Sequence, residues 1–358
     1  MSRVLERYLA REIYASTALV LAAFLSLFAF FDLVNEFDDL GRGDYELLHA
    51  AAFVFLTLPG RVYELFPIAV LIGTLYALTT LARHSEITVL RISGLSTIAL
   101  LRILAKTGAA FVVITFIFGE FIAPPAERAA QQLRLRSMSA VIGQEFRSGL
   151  WVKDERTFVN VKAVLPDTKL RGVRIYEFDD KYVLRSISEA AEGEYLPPDQ
   201  WRLTNVVRTA FTGDQASIER LPEMQWKSAL NPDILSVLLV VPERMSLTNL
   251  YLYIRHLASN NQKTDRYEIA LWKKLIYPLA ALVMMALALP FAYHLDRMGG
   301  VSIRVFAGIM LGIVFHMLNG LFSSLGIINN WAPFYSAITP SLIFMLAAGV
   351  MLWWVELR

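Results

Sequence analysis

The sequence predicts an α-helical polytopic membrane protein of six transmembrane helices, with a β domain inserted between the third and fourth. Three observations carry this. Six apolar runs, at 13–31, 65–82, 107–119, 275–293, 305–330 and 333–355, contain no charged residue. Most are near or above the length that crosses a hydrocarbon core of about 30 Å. They divide three and three around a polar stretch between 119 and 275, and inside that stretch the hydrophobic period changes from helical to two.

Composition agrees with a membrane protein. Of 358 residues, 56% are hydrophobic and 18% charged. Soluble domains are nearer one quarter charged. A net charge of +2 gives no footing for a nucleic-acid binder. Cysteine is absent, which excludes disulfides, thiolate nucleophiles and cysteine metal sites. The first apolar run is longer than a cleavable signal and lacks a small-residue cleavage site, so it reads as the first span.

Basic residues in short loops set orientation. Arg3, Arg7 and Arg11 precede span one. Arg83, Arg91, Arg102 and Lys106 lie between spans two and three, and Arg297 and Arg304 between four and five. The opposite loops hold Arg42 alone over 38–50 and no basic residue over 324–332. Both termini are therefore expected inside and the insert outside.

The insert reads as strands over about 140–240. Val159, Val161 and Ala163 alternate with Asn160 and Lys162; Val173 and Ile175 flank Arg174; Trp201 and Leu203 alternate with Arg202 and Thr204. Pro197, Pro198 and Asp199 make a turn. Such strands suit a sandwich, jellyroll or open roll. Ser246 then caps a helix through Leu257, residues 260–262 break it, and 266–274 lead into span four. The expected division is 1–137 for spans one to three, 138–245 for the β domain, and 246–358 for a linker helix and spans four to six.

Two constellations stand out. Residues 84–94 frame a short amphipathic helix on the inner side, with Ser85 as cap and Gly94 as stop, and with Glu86 and Arg91 available for contacts. It either lies on lipid head groups or docks in a partner's groove. The second is charge at the outer ends of the first three spans: Asp32, Glu36, Arg61, Glu64, Glu120, Glu127, Arg128, Arg134 and Arg136. These either pair locally or rim a cavity in which arginines hold an anionic head. Pro124 and Pro125 are expected to end or kink span three. His316 and Asn319, three apart, read as interhelical hydrogen-bond partners rather than metal ligands. No nucleotide-binding glycine loop or HExxH occurs. A transporter subunit without a catalytic site leads. A receptor or scaffold with an outer sensing domain, and an ion-coupled secondary transporter, are the alternatives.

Four segments carry a family resemblance: 85–94 (SEITVLRISG), 119–124 (GEFIAP), 149–154 (GLWVKD) followed by 158–161 (FVNV), and 266–278 (RYEIALWKKLIYP). In this order and layout the chain resembles the LptF/LptG permeases of lipopolysaccharide export, and the GLWVKD…FVNV stretch is closer to the LptG branch. The resemblance implies an ABC-transporter permease in the bacterial inner membrane, with cytoplasmic termini and a periplasmic jellyroll. It implies pairing with an LptF-like permease, a dimer of an LptB-like ATPase underneath, and an LptC-like single-span jellyroll protein. Lipopolysaccharide would enter sideways from the outer leaflet and pass up a row of jellyrolls. No cofactor is implied in this chain; ATP would be bound by the ATPase. Residues 85–94 match the family's coupling helix, with Glu86 at its acidic position. A lysine pair found in some LptG members after span one is replaced here by Asp38 and Asp39. That leaves head-group recognition to Arg61, Arg128, Arg134 and Arg136, or to the partner permease.

Overall fold

The computed structural model describes residues 3–138, 149–154, 156–165, 169–197, 200–213, 215–228, 241–294 and 301–356. Six helices are long and apolar enough to cross a membrane: Val4–Asp39, Leu47–Arg83, Thr97–Arg134, Asp265–Phe291, Val305–Ile328 and Pro333–Trp354. They coincide with the six predicted spans. At about 1.5 Å per residue, the 36 to 38 residues of the first three exceed the bilayer core, so their ends project beyond it.

In chain order, α1 is Arg3–Glu36, α2 Leu47–Arg83, α3 Glu86–Ile92, α4 Thr97–Ile117 and α5 Ala123–Ser137. Ser96 caps α4 through a bond from the Ala99 N–H. Of the two expected outcomes, an end or a kink, Pro124 and Pro125 do not end span three. A π-helical turn over Phe118–Ile122 precedes them, and they fall in the first turn of α5, where a missing N–H is tolerated. The helix therefore runs on, carrying Glu127 and Arg134 above the apolar run.

Strands β1 (Leu150–Asp154), β2 (Thr157–Val164), β3 (Leu170–Phe178), β4 (Leu184–Leu196), β5 (Gln200–Thr212) and β6 (Gln215–Lys227) follow. They form one six-stranded antiparallel sheet in sequence order, so each strand pairs with the next. The predicted alternation holds: Val159 lies opposite Ile175 and Val161 opposite Val173, all buried on one face. Trp201, opposite Trp226, is fully buried and meets Tyr195 edge to face. Pro197 follows β4 as a turn; Pro198 and Asp199 lie outside the described residues.

The chain returns through a 3₁₀ turn at Pro242–Arg244 to α6 (Leu247–Ser259), which Ser246 caps as predicted, then α7 (Asp265–Ile276), α8 (Ala280–His294), α9 (Val301–Ile328) and α10 (Pro333–Glu356). Arg297 lies outside the described residues. The membrane core is built around α2, which packs on α1, α5, α8 and α9. Leu71, Leu75, Leu78, Ile103, Leu104, Met284 and Phe315 are its buried centre.

Candidate functional site

The charged residues at the sheet-domain end of the helices form three clamps. In the first, Arg61 on α2 grips Asp32 on α1 with both Nε (3.0 Å) and Nη2 (2.7 Å), and its Nη1 reaches Glu64 one turn on at 3.2 Å. Arg244, from the linker after the sheet, continues the chain: Nη1 lies 2.8 Å from Glu127 Oε1 and Nη2 4.0 Å from Glu64 Oε1. Gln131 donates to Glu127 at 3.2 Å. Acids and bases alternate here because unpaired charge at membrane depth is costly.

In the second clamp Arg134 pairs with Asp39, and with Glu36 at 3.6 Å, and lies over the Phe53 ring. Tyr45 donates its hydroxyl to Glu36 at 2.8 Å. Burial, reinforced by that carboxylate, pushes the Tyr45 phenol above its ordinary value. Asp39, one of the two acids just after span one, is thus a partner of Arg134 and of Arg42.

The third clamp is the most buried. Glu120, on the π turn, accepts the Leu247 N–H on both oxygens (2.9 and 3.1 Å) and lies 3.7 Å from Lys274. Lys274, 6% exposed, also donates to the Met245 carbonyl. Gly119 is required beside it. A Cβ there would stand 2.5 Å from the Tyr63 ring, and Tyr63 in turn faces Tyr277, with ring centroids 5.0 Å apart. Tyr277 donates to the Glu64 carbonyl at 2.6 Å.

Two cavities adjoin the clamps. One of about 270 Å³ lies between α2, α5, α7 and α9 and is lined by Tyr63, Glu64, Glu127, Arg244, Lys273 and Tyr277 among others. A second, of about 180 Å³, is lined by Asp32, Glu36, Phe53 and Arg61 and shares Arg244 with the first.

The structure therefore brings Arg61 and Arg134 to one rim, linked through the cavity wall that contains Glu36. It turns Arg128 back onto the Pro124 carbonyl of its own helix, 3.4 Å away, and leaves Arg136 exposed. At the opposite end, Glu86 accepts a hydrogen bond from Tyr8 of α1 at 3.0 Å. Gly94, at φ +93°, ends the turn after α3. The Arg91 side chain lies outside the described residues. Among the described residues Asn319 bonds the Phe315 carbonyl of its own helix and no neighbouring helix, so the interhelical expectation is not met for it there. Among the described residues no group of His, Cys, Asp or Glu could hold a metal. Sequence reasoning missed Arg244, Lys273 and Lys274. The signal available was a doubled lysine at the head of an apolar run, with an acid at the outer end of span three.

Residues 7–354 match the family described as lipopolysaccharide export system permease LptF/LptG. The chain belongs to the LptF/LptG family. It is 32% identical to the lipopolysaccharide export system permease protein LptG of Escherichia coli K12 over 352 residues, 98% of this chain and 97% of that one. It is 31% identical to that of Haemophilus influenzae over 359 residues, 100% of this chain and 99% of that one. The chain is thus a multi-pass membrane permease of lipopolysaccharide export. The family-like segments meet in space: Glu120 of GEFIAP pairs with Lys274 of RYEIALWKKLIYP, and Lys153 of GLWVKD donates to the Asn260 carbonyl on the linker helix at 3.1 Å. Glu120 and Lys274 thus tie the linker at Leu247 and Met245 to the membrane body, and Lys153 ties the sheet domain to the linker helix.

Proposed function

We propose that this chain is the LptG-type half of an ABC exporter in the bacterial inner membrane. It takes lipopolysaccharide from the outer leaflet and passes it to a periplasmic bridge, with both termini cytoplasmic. The sheet domain is the periplasmic jellyroll that receives the lipid on its apolar face. An LptF-like permease completes the cavity, and an LptC-like single-span protein extends the row. An LptB-like ATPase dimer binds ATP and docks against α3 through Glu86 and Arg91; this chain holds no cofactor of its own. Arg61, Arg128, Arg134 and Arg136 are the candidate head-group contacts.

The observation that carries the reading is the family match along nearly the whole chain. Uneven burial supports a partner permease. The apolar windows of spans two and four are 78% and 61% buried, but those of spans one, five and six only 6%, 22% and 28%. These three faces need lipid or another chain. The arginine excess on the α3 side supports the orientation. The test is reconstitution of the complex in liposomes loaded with lipopolysaccharide. Release that requires ATP and the ATPase is expected; release without either, or none with both, refutes the reading.

A further inference from the structure

Arg244 and Gly60 are the residues that the two cavities share. The two carboxylate contacts of Arg244 are unequal. Nη1 is 2.8 Å from Glu127, whose side chain is 4% exposed, so that end is an anchor. Nη2 stands 4.0 Å from Glu64, which already accepts a hydrogen bond from Arg61 at 3.2 Å. A guanidinium carries five N–H donors in a fixed fork. Its outer edge therefore keeps donors to spare, and Glu64 has another cation if it gives that edge up.

Lys273 lines the larger cavity. It is half-buried, and no hydrogen bond or ion pair engages it among the described residues. The other charges on that cavity are spoken for: Lys274 by Glu120, Glu127 by Arg244, Glu64 by Arg61. Glu243 also lines the cavity and its charge favours that of Lys273, but among the described residues the two form no ion pair. Tyr63, Ala270 and Tyr277 supply apolar wall. At about 270 Å³ the space is below the roughly 300–1,000 Å³ that holds a whole small molecule. It takes a head group and a few carbons.

We propose that Arg244 and Lys273 form an anion site at the junction of the two cavities, for the phosphate of an amphiphile whose chain begins along the apolar wall. The site rests on the lipid-export reading and adds to it a contact made inside this chain, behind the rim arginines. Anchored by Glu127, Arg244 exchanges the loose Glu64 contact for phosphate oxygens, and charge-assisted bonds of this kind are about twice as strong as neutral ones.

The test uses the full-length chain in a neutral maltoside detergent, with dodecyl phosphate and inorganic phosphate as probes in titration calorimetry. One dodecyl phosphate per chain is expected, with inorganic phosphate at least about tenfold weaker because it lacks the apolar contact. Arg244→Gln and Lys273→Met should each weaken dodecyl phosphate about tenfold or more. Glu64→Gln removes the competitor and should tighten binding, an effect that misfolding does not produce. Wild-type affinity in Arg244→Gln overturns the site. So does equal affinity for the two probes, which would make it a free-phosphate site. If Arg244→Gln does not fold, unchanged affinity in both Lys273→Met and Glu64→Gln overturns it. Lipopolysaccharide release by the wild-type complex is followed in parallel. Absent release refutes the transport reading; normal release with wild-type binding in Arg244→Gln removes this site alone.

Discussion

Lys274→Met tests whether the linker after the sheet domain is locked to the membrane body by charge. Lys274 and Glu120 stand 3.7 Å apart, 6% and 12% exposed at their side chains. At an effective dielectric near 20 two unit charges at this distance attract by about 4 kcal/mol. Removing the lysine also leaves Glu120, among the described residues, with the Leu247 N–H as its remaining partner and frees the Met245 carbonyl. Breaking a buried pair by deleting one partner costs about 3–5 kcal/mol, because the other charge stays buried and uncompensated. Glu120→Gln is milder, since an amide oxygen still accepts from Leu247. The double substitution should recover part of the loss, with a coupling of about 1–3 kcal/mol. Amide hydrogen exchange over 241–259 in the detergent-solubilised chain reads this directly. Local opening in Lys274→Met should speed exchange about a hundredfold or more, at about 1.4 kcal/mol per tenfold. Unchanged protection in Lys274→Met, or strictly additive effects in the double mutant, would refute the lock.

Three further outcomes follow from single contacts. A Cβ on Gly73 would stand 2.5 Å from the Thr17 Cα, so Gly73→Ala should push α1 off α2 at a cost of about 1–3 kcal/mol, seen as lost cross-linking between cysteines placed on the two helices; the chain has no cysteine of its own to confuse the readout. Glu86→Ala should cut copurification of the ATPase, worth about 2–5 kcal/mol if the carboxylate is buried at that contact. Tyr8→Phe, which loses only an exposed hydrogen bond, should not; equal effects would place Glu86 as a purely internal contact. Burial holds the His256 pKa below its ordinary value, against the pull of Asp154. A base whose folded pKa is depressed costs stability once the unfolded form begins to take up protons, so protection of α6 should fall as pH drops below about 6.5. His256→Gln should flatten that dependence, and a slope unchanged by it would assign the effect elsewhere.

The span count, the insertion point and the strand alternation were legible in the sequence because each is a local pattern. Hydrophobic length decides what can cross a bilayer, and period two places Val159, Val161, Val173 and Ile175 on one face whatever lies opposite. The same locality explains the cap at Ser246. It also explains why the sequence left Pro124 and Pro125 open between an end and a kink, since a missing N–H disturbs the helix either way. Their position after a π turn, which no local propensity announces, let the helix continue. Which acid meets which base was decided only by the tertiary structure. Asp32 and Arg61, Glu127 and Arg244, and Glu120 and Lys274 are brought together by helices packing from distant parts of the chain. A charge near a membrane surface must find an opposite charge or water, and the sequence states that need at each position. Only the packed bundle fixes the few ångströms that choose the partner, and with it whether an arginine has donors left for a ligand.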